Sequence, residues 1–405
     1  MADTVYLHLG TPKSGTTYIQ AVLGANRERL QRKDRVLFPG RRWVEQVHAA
    51  KDVLHANPHD HKTPESVGAW QRLVDEMHAW DGNAVVSMEW LGSANVEQAA
   101  RMVESLAPAR VEVIITVRDL ARTIPAAWQE FLQNWETWTW RRFLSDVSSE
   151  EPRSTPASRL FWTQQDLGRM LAIWTDVLDP EQIHVVTLPP SGAPAGELWS
   201  RFASVLGIDP HRYDAGGGSN ESLGLESTEL MRRINELSKQ QGMTWPVYDA
   251  RLKRGLAKRG LSRRKGLETA VTIPEEFHPW VMSRSAEQVA AIKSSGARVT
   301  GDLADLNPTL GPSGPQPEDL DPEAMLEAAV AGLVFATGDH AAEVARLRRR
   351  IEKLEGRGPK DLPGAPAPGG RVKRGLVDLS ERHRAVMAAR RAFTRARGTL
   401  RRGSL

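Results

Sequence analysis

The residues whose chemistry is easiest to state form one octapeptide, Gly10-Thr11-Pro12-Lys13-Ser14-Gly15-Thr16-Thr17. It follows the alternating run Val5-Tyr6-Leu7-His8-Leu9 and precedes Ile19, Val22, Leu23 and Leu30 at helical spacing, so it reads as the turn between a strand and a helix. The first N–H groups of a helix have no partner within it and sit at the positive end of its dipole, which suits such a turn to an anion. Gly15 lets the backbone approach that anion, Thr16 and Thr17 add hydroxyl donors, and Lys13 adds a point charge. A nucleoside-triphosphate loop carries its lysine directly after the second glycine. Here Thr16 stands in that place and the lysine precedes Gly15 by two positions. A glycine turn with an incidental Lys and Ser is the plain alternative.

A second cation, Arg118, ends the β-branched run Val111-Glu112-Val113-Ile114-Ile115-Thr116-Val117. Open α/β sheets bind ligands at the carboxyl ends of their strands, and a guanidinium there can grip a phosphate through two parallel hydrogen bonds. The plain alternative is a surface ion pair with Asp119 or a neighbouring carboxylate.

Together the two segments resemble the sulfotransferase family, whose members carry a Pro-Lys-Ser/Thr-Gly-Thr-Thr run after the first strand and use 3′-phosphoadenosine-5′-phosphosulfate as co-substrate. The run Arg118-Asp119-Leu120-Ala121-Arg122, followed by Pro125 and the pair Trp128-Gln129, is similar to a bacterial, actinobacterial-type branch. So are Phe161–Leu167 and Gly218–Leu223, and the resemblance spans residues 4–240.

It implies that Thr11, Pro12, Lys13, Ser14, Gly15, Thr16 and Thr17 hold the 5′-phosphosulfate and that Arg118 holds the 3′-phosphate. The two anchors would then lie far enough apart to take opposite ends of one nucleotide. The serine that the family places eight residues after this arginine is missing: Ala126 occupies its position, and Thr123 is the candidate to replace it. The implied reaction moves a sulfuryl group to a hydroxyl or amine, leaves adenosine 3′,5′-bisphosphate and demands no metal. It needs an in-line acceptor, a base and positive charge at the leaving oxygen. Lys13 is the candidate for that charge. Glu89, just beyond the run Ala84–Met88, stands where relatives place a catalytic His or Glu and is the candidate base.

The acceptor is not named by the sequence: small molecule, carbohydrate and lipid all remain open. Trp90, Trp128 and Gln129 are the candidate acceptor contacts, because the chain holds 13 Trp and four of them, Trp128, Trp135, Trp138 and Trp140, follow the second anchor closely. Helix-spaced tryptophans serve equally as core. His55, His59 and His61 invite a metal or base reading, but they lie in a Pro- and Asp-bearing stretch with no further ligand pattern, and no metal site is assigned. His8, inside the first strand, reads as a packed core residue. Two other functions stay open: a nucleotide-dependent kinase, and a non-catalytic nucleotide- or polyanion-binding protein.

The elements that must position these groups alternate along the chain. Helical spacing at Trp70–Met77, Val96–Leu106, Ile124–Trp135, Leu167–Leu178 and Leu198–Leu206 is interleaved with strand-like runs at 84–88, 111–117 and 183–188. That alternation predicts an α/β fold with a doubly wound parallel sheet. Lys253–Arg264, basic and glycine-bearing, reads as a mobile surface segment. The expected organisation is an α/β domain over 1–306, a linker over 307–322, a helical segment over 323–356, a Pro/Gly linker over 357–370 and a basic tail, helical or disordered, over 371–405. Within the helical segment Val344, Leu347, Ile351 and Leu354 form a stripe suited to pairing with another helix, as in self-association; a solitary, fraying helix is the equal alternative.

Composition bounds the rest. At 405 residues with 40% hydrophobic and 26% charged residues, the chain holds one large domain with appendages. With Cys at 0 it has no disulfide, no thiolate nucleophile and no cysteine-bound zinc. The start shows no secretory pattern and no run reaches membrane-span length, which points to a cytoplasmic protein without a transmembrane segment. The net charge is +4, yet residues 371–405 hold eleven Arg or Lys against Asp378 and Glu381, a surplus of 9, so the preceding 370 residues net −5. That tail suits an anionic polymer or membrane surface, or is a solvated segment with no partner.

Overall fold

The computed structural model describes residues 1–54, 64–151, 153–216 and 222–356. Six strands form one sheet: β1 (Ala2–His8), β2 (Val36–Leu37), β3 (Gly82–Ser87), β4 (Arg110–Val117), β5 (Ile183–Thr187) and β6 (Arg298–Thr300). Their spatial order is β2-β3-β1-β4-β5-β6, and every pairing is parallel. After β1 come α1 (Thr16–Ala25) and α2 (Arg27–Asp34); after β2, α3 (Trp43–Leu54) and α4 (Ala69–His78); after β3, α5 (Val96–Leu106). β4 is followed by α6 (Leu120–Gln133), α7 (Trp140–Val147), α8 (Pro156–Gln165) and α9 (Leu167–Thr175). β5 is followed by α10 (Glu197–Val205), α11 (Leu225–Gln240), α12 (Trp245–Tyr248) and α13 (His278–Ser295), and β6 by α14 (Pro322–Gly356).

Alternation along the strands separates two faces. Val5 and Leu7 of β1, with Val111, Val113 and Ile115 of β4, are buried with residues of α3, α4, α5 and α9. Tyr6, Val85, Ile114 and Val186 are buried on the opposite face with residues of α1, α2 and α10. Both faces are covered, so the sheet is doubly wound, as the alternation of patterns predicts. A helical layer beyond it buries Trp128, Phe131, Trp140, Phe143 and Phe161 of α6, α7 and α8 together.

The segment expected to be mobile is instead helical and packed. Asp249–Gly260 forms a wide, π-type helical stretch continued by a 3₁₀ turn over Leu261–Leu267. Leu256, Ala257 and Leu261 are buried against Met231 and Tyr248, which outweighs the local Gly and Lys content. Residues 307–322 touch the α/β body: Leu310 and Leu320 lie against the helical layer, and the Gly314 N–H donates to Thr272 Oγ1 at 2.9 Å.

The chain divides into two units, Met1–Ala336 and Thr337–Leu405. The first holds the sheet; of the second, the described part is the C-terminal stretch of α14. The linker 357–370 and the basic tail 371–405 lie outside the described residues. No helix among the described residues is long and apolar enough to cross a membrane.

Candidate active site

β1 ends between β3 and β4, and the chain leaves it toward β2 and β3 on one side and reaches β4 on the other, which makes its carboxyl end the switch point where such sheets bind ligands. The loop from Gly10 to Gly15 stands there, pinned from below. The Thr11 N–H donates to Thr116 O at 2.9 Å, Ser14 Oγ donates to Thr11 O at 2.5 Å, and Gln165 of α8 donates to Pro12 O at 2.9 Å. Gly10, Lys13 and Gly15 have positive φ values of 39°, 71° and 87°. At Gly10 a Cβ would come within 2.3 Å of Thr16 Cγ2, so only glycine fits. Lys13 holds the left-handed conformation despite its Cβ, a strain of about 1–3 kcal/mol characteristic of functional loops.

Beneath the loop runs a buried polar chain. His8, fully buried, places Nδ1 2.7 Å from Ser87 Oγ and Nε2 3.1 Å from Thr116 Oγ1, and Thr116 Oγ1 lies 2.7 Å from Ser14 Oγ. Burial drives the His8 pKa down to about 3, so the ring is neutral at ordinary pH. The chain ties the loop to the end of β3, two residues before Glu89.

Arg118 lies against the loop, its Nη1 donating to Lys13 O at 3.3 Å. Arg118 and the loop therefore touch at the Lys13 main chain. Nε of Arg118 is buried without a hydrogen-bond partner, and among the described residues the guanidinium forms no ion pair. Burial, reinforced by Arg122, lowers its pKa to about 10 against the opposing pull of Asp119. A desolvated, still-charged guanidinium with an unused donor is a site in want of an anion.

Above the loop three charged groups meet. Lys13 Nζ donates to Glu130 Oε2 of α6 at 3.1 Å. Burial alone would raise the Glu130 pKa, but Lys13, Lys258 and Lys253 outweigh it and hold the carboxylate at about 2. Glu89 opens a 3₁₀ turn after β3, and its Oε2 accepts from Gln20 Nε2 at 3.0 Å. Burial raises the Glu89 pKa; the backbone, the Gln20 hydrogen bond and Lys13 oppose that rise, while Glu130 adds to it. Two carboxylates thus sit beside one lysine with opposite tendencies, one raised by burial and one held as an anion.

The remaining sequence candidates are dispersed. Thr16 is buried at the start of α1 and Thr17 is exposed. Ser14 is fully buried and spends its hydroxyl on Thr11 and Thr116. Thr123 is 1% exposed, with its Oγ1 turned back to Arg118 O at 3.5 Å. Trp128 is fully buried and donates to Trp138 O, and buried Gln129 donates to Leu223 O at 2.7 Å, so both side chains belong to the helical layer. Trp90 is exposed next to Glu89, with Lys51 Nζ 5.6 Å from its ring. His55, His59 and His61, and Gly218–Glu221 of the later resembling segment, lie outside the described residues. A cavity of about 140 Å³ lined by Trp162, Gln165, Asp166 and Arg284 shares Gln165 with the loop, but its arginine already pairs with Glu287 at 2.6 Å.

Residues that the sequence left unassigned complete the site. Gln20 carries a legible signal, a polar residue on the buried face of α1 beside Ile19 and Leu23. Lys253 and Lys258 carry none, because a helical stretch more than a hundred residues downstream of α6 brings them to Glu130. Beside them Trp135, Tyr248 and Trp245 stack, with ring centroids 4.7 Å and 5.7 Å apart in successive pairs, and Lys253 Nζ lies 5.7 Å from the Trp245 ring.

No protein-family model matches the chain, and no curated protein sequence matches it. Among solved structures, the chain is similar to a crystal structure of a sulfotransferase from Alicyclobacillus acidocaldarius, at 17% identity over 60% of this chain and 97% of that one, with a TM-score of 0.37.

Proposed function

We propose that the chain is a sulfotransferase that takes its sulfuryl group from 3′-phosphoadenosine-5′-phosphosulfate. The observation that carries the reading is the half-buried guanidinium of Arg118, which keeps one buried N–H without a partner and forms no ion pair among the described residues, held by the Lys13 carbonyl against a strand-loop-helix turn whose lysine precedes Gly15. The donor set fits a nucleotide with two anionic ends. The N–H groups opening α1, the hydroxyls of Thr16 and Thr17 and the Lys13 ammonium suit the phosphosulfate, and Arg118 suits the phosphate. When bound, the nucleotide supplies an activated sulfuryl group and a bisphosphate leaving group.

The chain's own groups then divide the work. Glu89 accepts the proton of the acceptor hydroxyl or amine, burial raising its pKa and so its basicity above that of an ordinary carboxylate. Lys13 turns from Glu130 toward the incoming anion and stabilises charge at the leaving oxygen. Glu130 stays ionised throughout and holds Lys13 in the loop before the anion arrives. Trp90, beside the base, and the exposed Trp245, which stacks on buried Tyr248, offer apolar surface to an acceptor.

Calorimetry with adenosine 3′,5′-bisphosphate tests the reading. Binding is expected in wild type, at least tenfold weaker binding in Arg118→Gln, and no comparable binding of ATP with magnesium. Binding of ATP with magnesium but not of the bisphosphate would replace this proposal with a kinase. Labelled-sulfate transfer from the donor into a metabolite extract then identifies the acceptor, and bisphosphate binding without any transfer would reduce the chain to a nucleotide-binding protein.

A further inference from the structure

The apolar stripe noticed at Val344–Leu354 is the end of a longer pattern. α14 runs unbroken for 35 residues, and apolar side chains recur along it in alternating steps of four and three. Written as a heptad repeat, the a positions are Val330, Thr337, Val344 and Ile351, every one β-branched. The d positions are Leu326, Leu333, His340, Leu347 and Leu354, four leucines of five. From Leu326 to Leu354 the seam covers four heptads, about 42 Å of helix at ~1.5 Å per residue.

This seam faces solvent. Leu326 is 62% exposed, Val330 52%, Leu333 68%, Leu347 46%, Ile351 53% and Leu354 54%. Within the first unit the opposite side of the same helix meets the body. Met325 and Ala328 are buried, a Cβ on Gly332 would lie 3.2 Å from Leu256, and Arg263 lies 5.6 Å from the Phe335 ring. These four occupy c and f positions, which lie on the outer side of a coiled coil and leave a and d open.

We infer that α14 pairs in parallel with the α14 of a second copy of this chain, forming a two-stranded coiled coil that makes the protein a dimer. Three features select this occupant. β-branched a residues with leucine at d favour two parallel strands over three or four. In parallel pairing a g residue meets the e′ residue five positions on, which sets Glu343 against the partner's Arg348 twice per dimer. Reversed pairing brings g to g and e to e, and no such register joins Glu343 to Arg348. Finally, over its last two heptads the apolar strip is a narrow a/d seam flanked by Glu343, Arg348 and Arg350, although exposed Val334 widens it further up the helix, whereas a helix lying in a membrane surface presents a broad apolar face throughout. Thr337 and His340 form two successive polar layers near the middle, which fix the alignment of the two strands. The inference holds whatever the Gly10–Thr17 loop binds.

Sedimentation of the full chain is expected to give a dimer, and Leu333→Asp with Leu347→Asp a monomer with an unchanged circular-dichroism melting profile for the sheet domain. Charge exchange avoids reliance on a disruptive variant. Glu343→Arg alone and Arg348→Glu alone are each expected to weaken dimerisation severalfold, while mixing the two restores it as a heterodimer. Because the chain has Cys at 0, a Leu347→Cys variant carries a single thiol, and oxidation is expected to cross-link two copies through it. A monomeric wild type, a dimer indifferent to the Asp substitutions, a trimer, or a dimer that Leu347→Cys does not cross-link would each overturn the inference. So would a monomer that binds anionic vesicles through Leu333 and Leu347.

Discussion

At the scale of single residues, the proposed reaction turns on the contrast between Glu89 and Glu130. Burial raises the first, and three lysines hold the second at about 2. A base with a raised pKa is protonated, and so idle, at a higher pH than an ordinary carboxyl; turnover should therefore fall as pH drops through that value. Gln20 favours the ionised form by hydrogen bonding, so Gln20→Met is expected to move the acid limb of the pH–rate profile to higher pH. Glu89→Gln should abolish that limb and lower kcat by about 10²–10⁴-fold. An unmoved limb in the first variant, or full turnover in the second, would remove Glu89 from the mechanism. Lys13, Arg118 and Glu89 were legible in the sequence because each sits within a few residues of a strand end, where local spacing predicts position. The contact of Glu130 with Lys253 and Lys258 was invisible, since a charge pair formed across tertiary packing leaves no local period. Trp128 and Gln129 read as acceptor contacts from their closeness to the second anchor and proved to be interior, because α6 turns that face toward α7 and α11.

At the scale of elements, His8 is the joint between three strands. It reaches Ser87 on β3 and Thr116 on β4 from β1. Its pKa in the fold is about 3 against an ordinary 6.5, so between those values the unfolded chain binds a proton that the folded chain refuses. The stabilisation is complete above pH 6.5 and is lost as pH falls toward 3, at up to about 1.4 kcal/mol per pH unit. Urea unfolding of His8→Gln is expected to lack that part of the acid slope; an identical slope would show that another group is responsible. Long strands and their flanking helices were legible from alternation, and Val96–Leu106 matches α5 end to end. β2 and β6, of two and three residues, fall below any readable pattern. α6 begins at Leu120, ahead of the expected Ile124, because the Asp119 side chain accepts from the Arg122 N–H at 2.9 Å and caps the helix there.

At the scale of the whole molecule, the parallel sheet and its loop at the switch point followed from strand–helix alternation, while the long seam on α14 did not, because only its last two heptads lack glycine and polar interruptions. The sheet order has a further consequence for how the molecule is made. β1 is an interior strand, yet both of its neighbours are encoded late: His8 aligns with Ser87 and with Ile114. During synthesis its hydrogen-bonding edges and the apolar side chains Val5 and Leu7 must wait for about a hundred further residues, and pairings of such long range are slow and prone to aggregate. Pulse-labelled exchange during refolding is expected to show the amides of β1 gaining protection together with those of β4 and never before; earlier protection would mean that the strand finds a temporary partner. The turn proposed to bind the anion thus waits for segments encoded about a hundred residues later, so a nucleotide with affinity for that turn would act as a folding aid as well as a reactant.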